Sequence, residues 1–446
     1  MPELVDATTD LLQQLIRNRC VNDGAVESGH EHRNADLLHS HLEGPGLDLQ
    51  TYEPQPGRRS LVARIEGSDP GAPSLMLMGH TDVVPANPDR WRRDPFGGEL
   101  VDGVVWGRGA VDMLNLTASM AVAVRHLADT GFTPRGTLVY LAVADEEAGG
   151  THGAQWLAEQ HPDAMRTDYV VTEFGGTRLA LNDDGAPKLP VAVAEKGAFW
   201  GTIRVKGVPG HGSMPLRSDN ALVTGAEVVR RLAAYRPPAQ VDEVWRRFVE
   251  GLELPAGLAA TLQHPRELDA LVDDLDDLGM ARFVHACTHT TLAPTVMQAG
   301  VKTNVIPDTA EIDFDIRGLP GLERGGVLAL IEDALDDLAD RIEVEVRHAD
   351  PASSSPIDTP LWAALQRHAQ QLIPGARNIP CILPGATDSR FLRRLGATCY
   401  GYGAYSGAVS FGEFMRMFHG DDERIDQESL RLSTELWMAL ARDLLD

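Results

Sequence analysis

The sequence predicts an α/β fold with a mixed, mostly parallel sheet, into which a smaller α+β sandwich is inserted as a second domain. Short apolar runs alternate with helix-length segments, and the runs are apolar on both faces, as in sheets that helices cover on two sides. The segment 201–347 instead follows the order β-α-β-β-α-β, which is typical of a split βαβ sandwich. A chain of 446 residues has room for two domains. We therefore predict a first domain of residues 1–194 and 352–446 and an inserted domain of residues 195–351.

The N-terminal part of the chain supplies most of the predicted main sheet. Leucine and isoleucine recur at helical spacing after Asp10, and a second helix stops at Gly44-Pro45-Gly46. Strands are then predicted at Ser60–Glu66, Ser74–Met78, Thr137–Ala144 and Asp168–Thr172, with helices at Asn115–Ala128 and Ala154–Gln160. The polar segment Pro85–Gly109 is rich in proline and glycine and has the composition of a functional loop.

The inserted domain and the return to the main sheet follow in order. The predicted elements are strand Gly201–Lys206, helix Asn220–Ala234, strands Leu292–Gln298 and Thr309–Arg317, helix Val327–Ala339 and strand Arg341–Arg347. Residues 237–287 predict an acidic helical stretch whose function the sequence does not indicate. Ser353-Ser354-Ser355-Pro356 has the composition of a return linker. A last helix from about residue 427 to 445 then completes the first domain.

Composition excludes several classes of partner. A net charge of −25 argues against nucleic acid and anionic membrane surfaces, which both reward clustered lysine and arginine. The four cysteines are far apart in the sequence, so we expect buried thiols and neither a disulfide framework nor a thiolate zinc site. No apolar run approaches the roughly 18 residues of a membrane span, and no signal-peptide pattern opens the sequence. We therefore expect a cytoplasmic protein.

A histidine and an aspartate follow the second predicted strand. Gly79-His80-Thr81-Asp82 lies just beyond the apolar run, where open α/β sheets keep their ligand sites. Because alternate side chains of an extended segment point the same way, His80 can bind a cation with the Asp82 carboxylate behind its ring. A simple hydrogen bond between a strand-end histidine and a turn aspartate is the alternative that this motif alone leaves open.

Four further stretches place acids or histidine at strand ends and loops. Asp112 comes just before a helix, Glu146 and Glu147 follow one buried strand, Glu173 follows the next, and His419 lies near the C-terminus. Taken singly, each has an ordinary interpretation as a helix cap, a solvated strand end or a surface residue. Taken together with His80, they form a set of nitrogen and oxygen donors sufficient for two zinc ions.

These motifs resemble the M20 metallopeptidases, a family that includes aminoacylases, acetylornithine deacetylase, succinyl-diaminopimelate desuccinylase and glutamate carboxypeptidases. The resemblance covers nearly the whole chain. It rests on these motifs in order: Gly79-His80-Thr81-Asp82-Val83-Val84-Pro85, Gly107-Arg108-Gly109, Asp112, Asp145-Glu146-Glu147, Glu173, Gly210-His211-Gly212-Ser213, Thr303-Asn304-Val305-Ile306-Pro307 and His419. It implies a zinc-exopeptidase-like catalytic domain and an inserted domain that serves as lid and dimer interface.

The resemblance also implies the roles of individual residues. The implied metal ligands are His80, Asp112 and Glu173 for one ion and Asp112, Glu147 and His419 for the other. The ions would be Zn²⁺, with Co²⁺ or Mn²⁺ as substitutes. Glu146 would be the general acid and base, Asp82 would support His80, and the peptide bond Asp112-Met113 would be cis.

The remaining implied residues contact the substrate. His211 would reach the active site of the partner subunit in a homodimer and stabilise the oxyanion. Asn304, Arg317, Gly385 and Thr387 match positions that bind substrate, where an arginine can grip a carboxylate bidentately. An interface salt bridge is the alternative for Arg317.

The sequence thus predicts a dinuclear zinc hydrolase that cleaves an amide bond next to a free carboxylate in a small molecule. Glutamate at the position of Glu173 is more usual among N-acyl-amino acid deacylases of this family, and aspartate among its peptidases. A carboxypeptidase or dipeptidase is the alternative within the family. A zinc-binding protein without catalytic activity is the alternative from another class.

Overall fold

The computed structural model describes residues 2–179 and 186–446. The helices are α1 Pro2–Arg17, α2 His32–Leu42, α3 Leu114–Asp129, α4 Ala154–Gln160, α5 Pro162–Met165, α6 Ala221–Ala234, α7 Glu243–Gly251, α8 Ala256–Gln263, α9 Pro265–Asp274, α10 Leu278–Thr288, α11 Arg324–Leu335, α12 Pro360–Leu372, α13 Ser389–Arg394, α14 Phe411–Met417 and α15 Gln427–Leu445. The strands are β1 Asp48–Tyr52, β2 Ser60–Ile65, β3 Leu75–His80, β4 Glu99–Val101, β5 Val104–Trp106, β6 Leu138–Val143, β7 Tyr169–Thr172, β8 Lys188–Glu195, β9 Gly197–Lys206, β10 Gly210–His211, β11 Thr291–Ala299, β12 Val305–Ile306, β13 Thr309–Gly318, β14 Ile342–Asp350, β15 Ser353–Ser354, β16 Arg377–Leu383, β17 Thr398–Gly401 and β18 Arg424–Asp426.

The largest sheet is mixed, as predicted. Its strands follow the order β1-β2-β6-β3-β7-β17-β8-β15, and β16 pairs with β8. The central strands β6, β3, β7 and β17 run parallel, whereas β1, β2 and β15 pair antiparallel at the edges. Parallel neighbours end at the same edge of a sheet, so the segments that follow β3, β6 and β7 emerge side by side.

Helices cover both faces of this sheet, which explains why its central strands are apolar throughout. Every residue of β3 and β6 is buried. Helices α1, α3 and α15 pack on one face, and α4, α5 and α13 pack on the other. Burial on both faces stabilises the strands by roughly 25 cal/mol for each Å² of apolar surface removed from water, and it holds their carboxyl ends rigidly.

A second sheet has the predicted sandwich arrangement. Its four antiparallel strands follow the order β11-β13-β9-β14, and α6 and α11 pack on one face through a separate apolar core. The chain passes from the large sheet to this one between β8 and β9 and returns between β14 and β15. The domain boundaries at residues 194/195 and 351/352 stay a prediction.

The segment 237–287 is helical, as predicted, and forms α7 to α10. Its apolar side chains, including Trp245, Phe248 and Val284, share a core with Ile379 and Cys381 of β16. These helices therefore pack against the large sheet, although they are inserted between elements of the small one.

Some predicted elements differ in detail. The supposed loop Pro85–Gly109 contains the hairpin β4–β5, which β18 extends to three strands. The short strands of that hairpin lack the long apolar pattern on which the prediction relied. The helix predicted at Val327–Ala339 ends at Leu335 and continues as a 3₁₀ turn to Arg341. The edge strand β1 was not predicted because it is largely exposed and polar.

The cysteine prediction is confirmed, since all four cysteines are buried and free. In the described parts of the chain, no helix is both long enough and apolar enough to cross a bilayer.

Candidate active site

All five predicted metal ligands meet at the carboxyl edge of the large sheet. His80 is the last residue of β3, Glu147 follows β6, and Glu173 follows β7. Asp112 lies just before α3, and His419 lies just after α14. The strand order places β3 between β6 and β7, which is why side chains from distant parts of the sequence converge here.

The five side chains form two groups that share Asp112. In the first group, His80 Nε2 lies 3.1 Å from Asp112 Oδ1 and 3.7 Å from Glu173 Oε2. In the second group, His419 Nε2 lies 3.3 Å from Asp112 Oδ2 and 3.0 Å from Glu147 Oε2. Within each group, one ligand atom per residue lies within 4.8 Å of the others, close enough for a single ion. The arrangement can hold two cations with one bridging carboxylate.

A cavity of about 370 Å³ opens beside these groups. Glu146 lines it together with the acidic members of both groups. Trp200, Arg317 and His348 of the small sheet also line it, so residues of both sheets surround the cavity.

The comparisons with known proteins agree with this architecture. Residues 76–443 match the peptidase family M20/M25/M40. This protein is a member of the M20 family. Its members hydrolyse amide or peptide bonds, so the chain is a hydrolytic enzyme of that kind.

Relatives and solved structures extend the match. An N-fatty-acyl-amino acid synthase/hydrolase from Xenopus tropicalis is 29% identical over 403 residues, which is 87% of this chain and 75% of the relative. A succinyl-diaminopimelate desuccinylase from Xanthomonas euvesicatoria is 28% identical over 380 residues, 84% of this chain and 85% of the relative. An M20 family metallo-carboxypeptidase from Sulfolobus solfataricus has a similar fold, with a TM-score of 0.69, 17% identity, and coverage of 100% of this chain and 99% of that one.

The peptide bond between Asp112 and Met113 is cis in this M20 protein, as the resemblance implied.

Asp82 supports the site differently from the prediction. His80 Nδ1 hydrogen-bonds the backbone carbonyl of Asp82 at 2.9 Å, whereas the Asp82 carboxylate lies 3.6 Å from that nitrogen. The carboxylate instead accepts from the backbone N–H of Glu146 at 3.3 Å and of Glu147 at 3.1 Å. Asp82 therefore orients the histidine through its main chain and the acidic turn through its side chain.

A buried network behind Asp82 was not predicted. Asn22 donates to Asp82 at 2.8 Å and to Asp145 at 3.1 Å. Arg58, which is only 2% exposed, lies 2.6 Å from the Glu31 carboxylate and 3.3 Å from that of Asp145. These contacts fix the Asp145–Glu147 turn. Neither Asn22 nor Arg58 lies in a recognisable motif, so sequence patterns gave no signal for them.

Glu423 is a second supporting residue that sequence reasoning missed. It is fully buried, and its two oxygens accept from the backbone N–H groups of Val111 and Asp112 at 2.7 and 2.8 Å and from Gly109 N–H at 3.0 Å. Arg108 donates to it at 2.9 Å. The only available signal was the acidic run after His419, which resembles a solvated surface segment.

Proximity of the groups perturbs their protonation. Burial opposes a charge on His80, but hydrogen bonds to Asp112 and Glu173 raise the pKa of His80 well above its usual range. Hydrogen bonds to Asp112 and Glu147 raise the pKa of His419 to about 10. Burial raises the pKa of Asp112, yet the bonds from the two histidines outweigh it and lower that pKa overall. The site therefore favours positive charge next to Asp112.

The pKa values of the acids around Asp112 are raised, whereas that of Asp112 is lowered. Burial raises the pKa of Glu147 to about 7, with the nearby Asp112 adding to the effect. Burial also raises the pKa of Glu173 to about 7. For Glu146, burial and the neighbouring Glu173 carboxylate raise the pKa well above its usual range. Crowded, desolvated carboxylates of this kind are typical of functional sites.

The predicted substrate residues divide into two sets. Arg317 and Gly385 line the cavity, and Arg317 also pairs with Asp315 of the same strand at 2.8 Å. The interface salt bridge weighed as its alternative role stays a prediction. Thr387 lines the cavity as well, but Glu195 accepts hydrogen bonds from its backbone N–H at 2.6 Å and its hydroxyl at 2.9 Å. That threonine is engaged in a structural contact.

His211 and Asn304 lie outside the cavity of this chain. His211 pairs with Val305 in the two-stranded ribbon of β10 and β12, and Gly212 N–H donates to the Asn304 carbonyl at 2.9 Å. Both side chains are exposed, and His211 Nδ1 lies 2.7 Å from the Ser213 hydroxyl.

Other cavity residues had no signal in the sequence. Trp200 and His348 stack with ring centroids 4.8 Å apart, and Arg317 lies over the same indole at 5.7 Å. Phe174, Met415 and Phe418 form an apolar part of the lining. From the sequence alone, aromatic residues next to ligands cannot be distinguished from ordinary core residues, because only the fold shows that they line one cavity.

Proposed function

We propose that this M20 enzyme is a dinuclear zinc hydrolase that deacylates N-acyl-amino acids. The observation that supports the proposal best is the pair of ligand groups that share Asp112 beside Glu146. The proposed ligands are His80, Asp112 and Glu173 for one ion and Asp112, Glu147 and His419 for the other. Co²⁺ or Mn²⁺ would serve as substitutes.

The chemistry of the donors suits zinc. Imidazole nitrogens and carboxylate oxygens without thiolates are the usual ligands of catalytic zinc sites. Among the described residues, Glu147 Oε1 is buried without a hydrogen-bond partner, which is costly unless a cation binds it. Each histidine also faces two carboxylates, an arrangement that only a proton or a metal ion stabilises.

Glu146 is the proposed proton carrier. The metal ions, when bound, supply Lewis-acid activation of water and of the amide carbonyl. Glu146 accepts a proton from the attacking water and delivers it to the amide nitrogen as the C–N bond breaks, which releases a carboxylic acid and an amine. Its backbone N–H bond to Asp82 holds the turn that carries it. Burial and the neighbouring Glu173 carboxylate raise the pKa of Glu146, which favours the protonated form that donates to the leaving amine.

The cavity supports a substrate that carries a free carboxylate next to the scissile amide. Arg317 offers a guanidinium for the carboxylate, and Gly385 offers a main-chain contact without a side chain in the way. We include Thr387 as a residue that shapes this loop through Glu195. Glutamate at position 173 and similarity to N-acyl hydrolases, including the two relatives described above, favour a deacylase over the carboxypeptidase or dipeptidase alternative.

We further propose a homodimer formed through the inserted domain, residues 195–351. Its edge strand β11 exposes Val296 and Met297, and Met214 and Leu216 near the β10–β12 ribbon are 71% and 87% exposed. Exposed apolar surface of this kind commonly marks a protein interface. In such a dimer, His211 and Asn304 would complete the active site of the partner subunit. A cytoplasmic location also stays a prediction.

The test combines metal analysis with a substrate panel. Purified protein should contain about two zinc ions per chain and should hydrolyse N-acyl-amino acids faster than dipeptides. Glu146→Gln should retain the metal and lose at least about a hundredfold in kcat, whereas the control Glu159→Gln, at an exposed position on α4, should retain both. Dipeptide preference would favour the alternative enzyme, and clean zinc binding without any hydrolysis would favour the non-catalytic protein.

A further inference from the structure

We propose that the acyl group accepted by this site is a bulky apolar one, an aliphatic chain or an aryl group, rather than an acetyl or a succinyl group. This inference rests on the proposed deacylase function and specifies its substrate class. It begins with two aromatic residues next to proposed ligands, since Phe174 follows Glu173 and Phe418 precedes His419. Both rings line the cavity, and their centroids lie 5.6 Å apart. The wall beside the reacting bond is therefore apolar.

The rest of this wall is apolar as well. Met415 and Leu383 line the same cavity, and Leu383 belongs to the packed cluster that includes Phe174. Phe418 is backed by Phe414, with ring centroids 5.4 Å apart. A ligand group seated here would exchange water for carbon contacts, which is the ordinary source of affinity for an apolar group.

The arginines of the cavity lie on other elements. Arg317 belongs to β13 and pairs with Asp315 at 2.8 Å, and Arg390 belongs to α13 and lies 2.6 Å from Asp350. Among the described lining residues, no lysine or arginine belongs to α14 or to the segment after β7. A carboxylate at the end of the acyl group, as in a succinyl substrate, would lose its water against the apolar wall without gaining a cation.

A second, smaller void extends the wall away from the proposed metal ligands. It measures about 10 Å³ and is lined by Phe283, Phe411 and Phe414. Phe174 and Met415 line both cavities, so they separate the two. Methionine is unbranched and adapts its shape readily, so Met415 forms an adaptable part of the boundary between the two cavities. The aromatic pair of Phe283 and Phe411, whose centroids lie 5.8 Å apart, lines the smaller void.

This arrangement gives the helical segment 237–287 a role. Phe283 belongs to α10, the last helix of that segment, and α7 to α10 pack against the large sheet directly behind the apolar wall. We therefore expect these helices to limit the length of the acyl chain that fits.

The first test is a chain-length series on the zinc-loaded enzyme. N-acetyl, N-butanoyl, N-hexanoyl and N-octanoyl derivatives of L-methionine and L-glutamate are compared by kcat/KM. Each added methylene should raise kcat/KM about fourfold until the site is full. N-pentanoyl substrates should exceed the N-succinyl substrates of the same length by at least about thirtyfold.

The outcomes separate this inference from the proposed function. A preference for acetyl or succinyl groups, or a flat dependence on chain length, would overturn the inference and leave a deacylase. Cleavage of dipeptides alone would overturn the proposed function, and this inference with it.

The second test is a pair of tryptophan variants on α14. Met415→Trp places a large side chain in the space beside the apolar wall, whereas Arg416→Trp places the same side chain at an exposed neighbouring position that does not line the cavity. Met415→Trp should lower the ratio of octanoyl to acetyl kcat/KM at least tenfold, and Arg416→Trp should leave it unchanged. Calorimetric titration with octanoate gives a readout without turnover, and its affinity should fall tenfold or more in Met415→Trp alone. Equal behaviour of the two variants in both measurements would refute the site.

Discussion

Glu423→Gln is the sharpest test of how the fold holds the shared ligand. In the wild-type protein both carboxylate oxygens of Glu423 are saturated, one by the backbone N–H groups of Val111 and Asp112 and the other by Gly109 N–H and Arg108. Glutamine has the same shape but only one acceptor oxygen, so its NH₂ group must face two donors in either orientation. The substitution also removes the charge opposite the buried guanidinium of Arg108.

The expected magnitude follows from those contacts. A buried hydrogen bond to a charged group contributes about 1.5 to 3 kcal/mol, and breaking a buried ion pair costs about 3 to 5 kcal/mol. These contributions overlap, because one residue makes all the contacts, and we expect the free energy of unfolding to fall by about 3 to 5 kcal/mol. Because the Asp112 backbone is released, zinc affinity should fall together with stability.

The assay is urea denaturation of wild type and variant in parallel, with and without EDTA, together with zinc content by elemental analysis. Glu99→Gln is the matched control, since Glu99 forms a partly exposed pair with Arg93 and surface pairs contribute about 0 to 1 kcal/mol. A Glu423→Gln protein within about 1 kcal/mol of wild type, with unchanged zinc content, would refute the claim that this carboxylate anchors the Asp112 segment.

Four further predictions concern other parts of the molecule. Arg58→Met leaves the Glu31 and Asp145 carboxylates buried without their cation, so the free energy of unfolding should fall by about 3 to 5 kcal/mol. An unchanged free energy of unfolding would show that the network is dispensable. Burial lowers the pKa of Lys196 from 10.5 to about 7. Between these pH values the unfolded chain binds more protons than the folded one, so the stability of wild type relative to Lys196→Met should rise as pH increases from about 7 to about 10. A constant stability difference across that range would contradict the lowered pKa. Removal of metal by EDTA should lower the melting temperature, since an ion at a thousand times its dissociation constant stabilises the fold by about 4 kcal/mol. Asp112→Asn should show little recovery on zinc addition, because Asp112 contributes to both groups, and full recovery would argue against a shared ligand.

Local sequence determined the secondary structure of the apolar strands β3 and β6, whereas the equally buried strands β8, β16 and β17 were not predicted. Ser74–Met78 and Thr137–Ala144 were predicted as strands within a few residues of their observed ends, because a strand covered on both sides must be apolar throughout. The polar edge strand β1 and the hairpin β4–β5 escaped prediction because their partners, and not their own composition, stabilise them. The family was likewise readable from short ordered motifs, and the match over residues 76–443 confirms it.

Only the tertiary structure decided how the candidate site is built. The sequence nominated His80, Asp112 and Glu173, but their convergence depends on β3 lying between β6 and β7, a long-range pairing that no local pattern encodes. The hydrogen-bond donors of the Asp82 carboxylate, which are Asn22 and the backbone N–H groups of Glu146 and Glu147, were not predicted because they come from distant parts of the chain. The sequence also did not predict that residues 237–287 pack behind the cavity. The apolar face of a helix indicates that the helix is packed, but it does not indicate the partner. Chemistry-bearing residue types are a property of the sequence, whereas their distances and surroundings are a property of the fold.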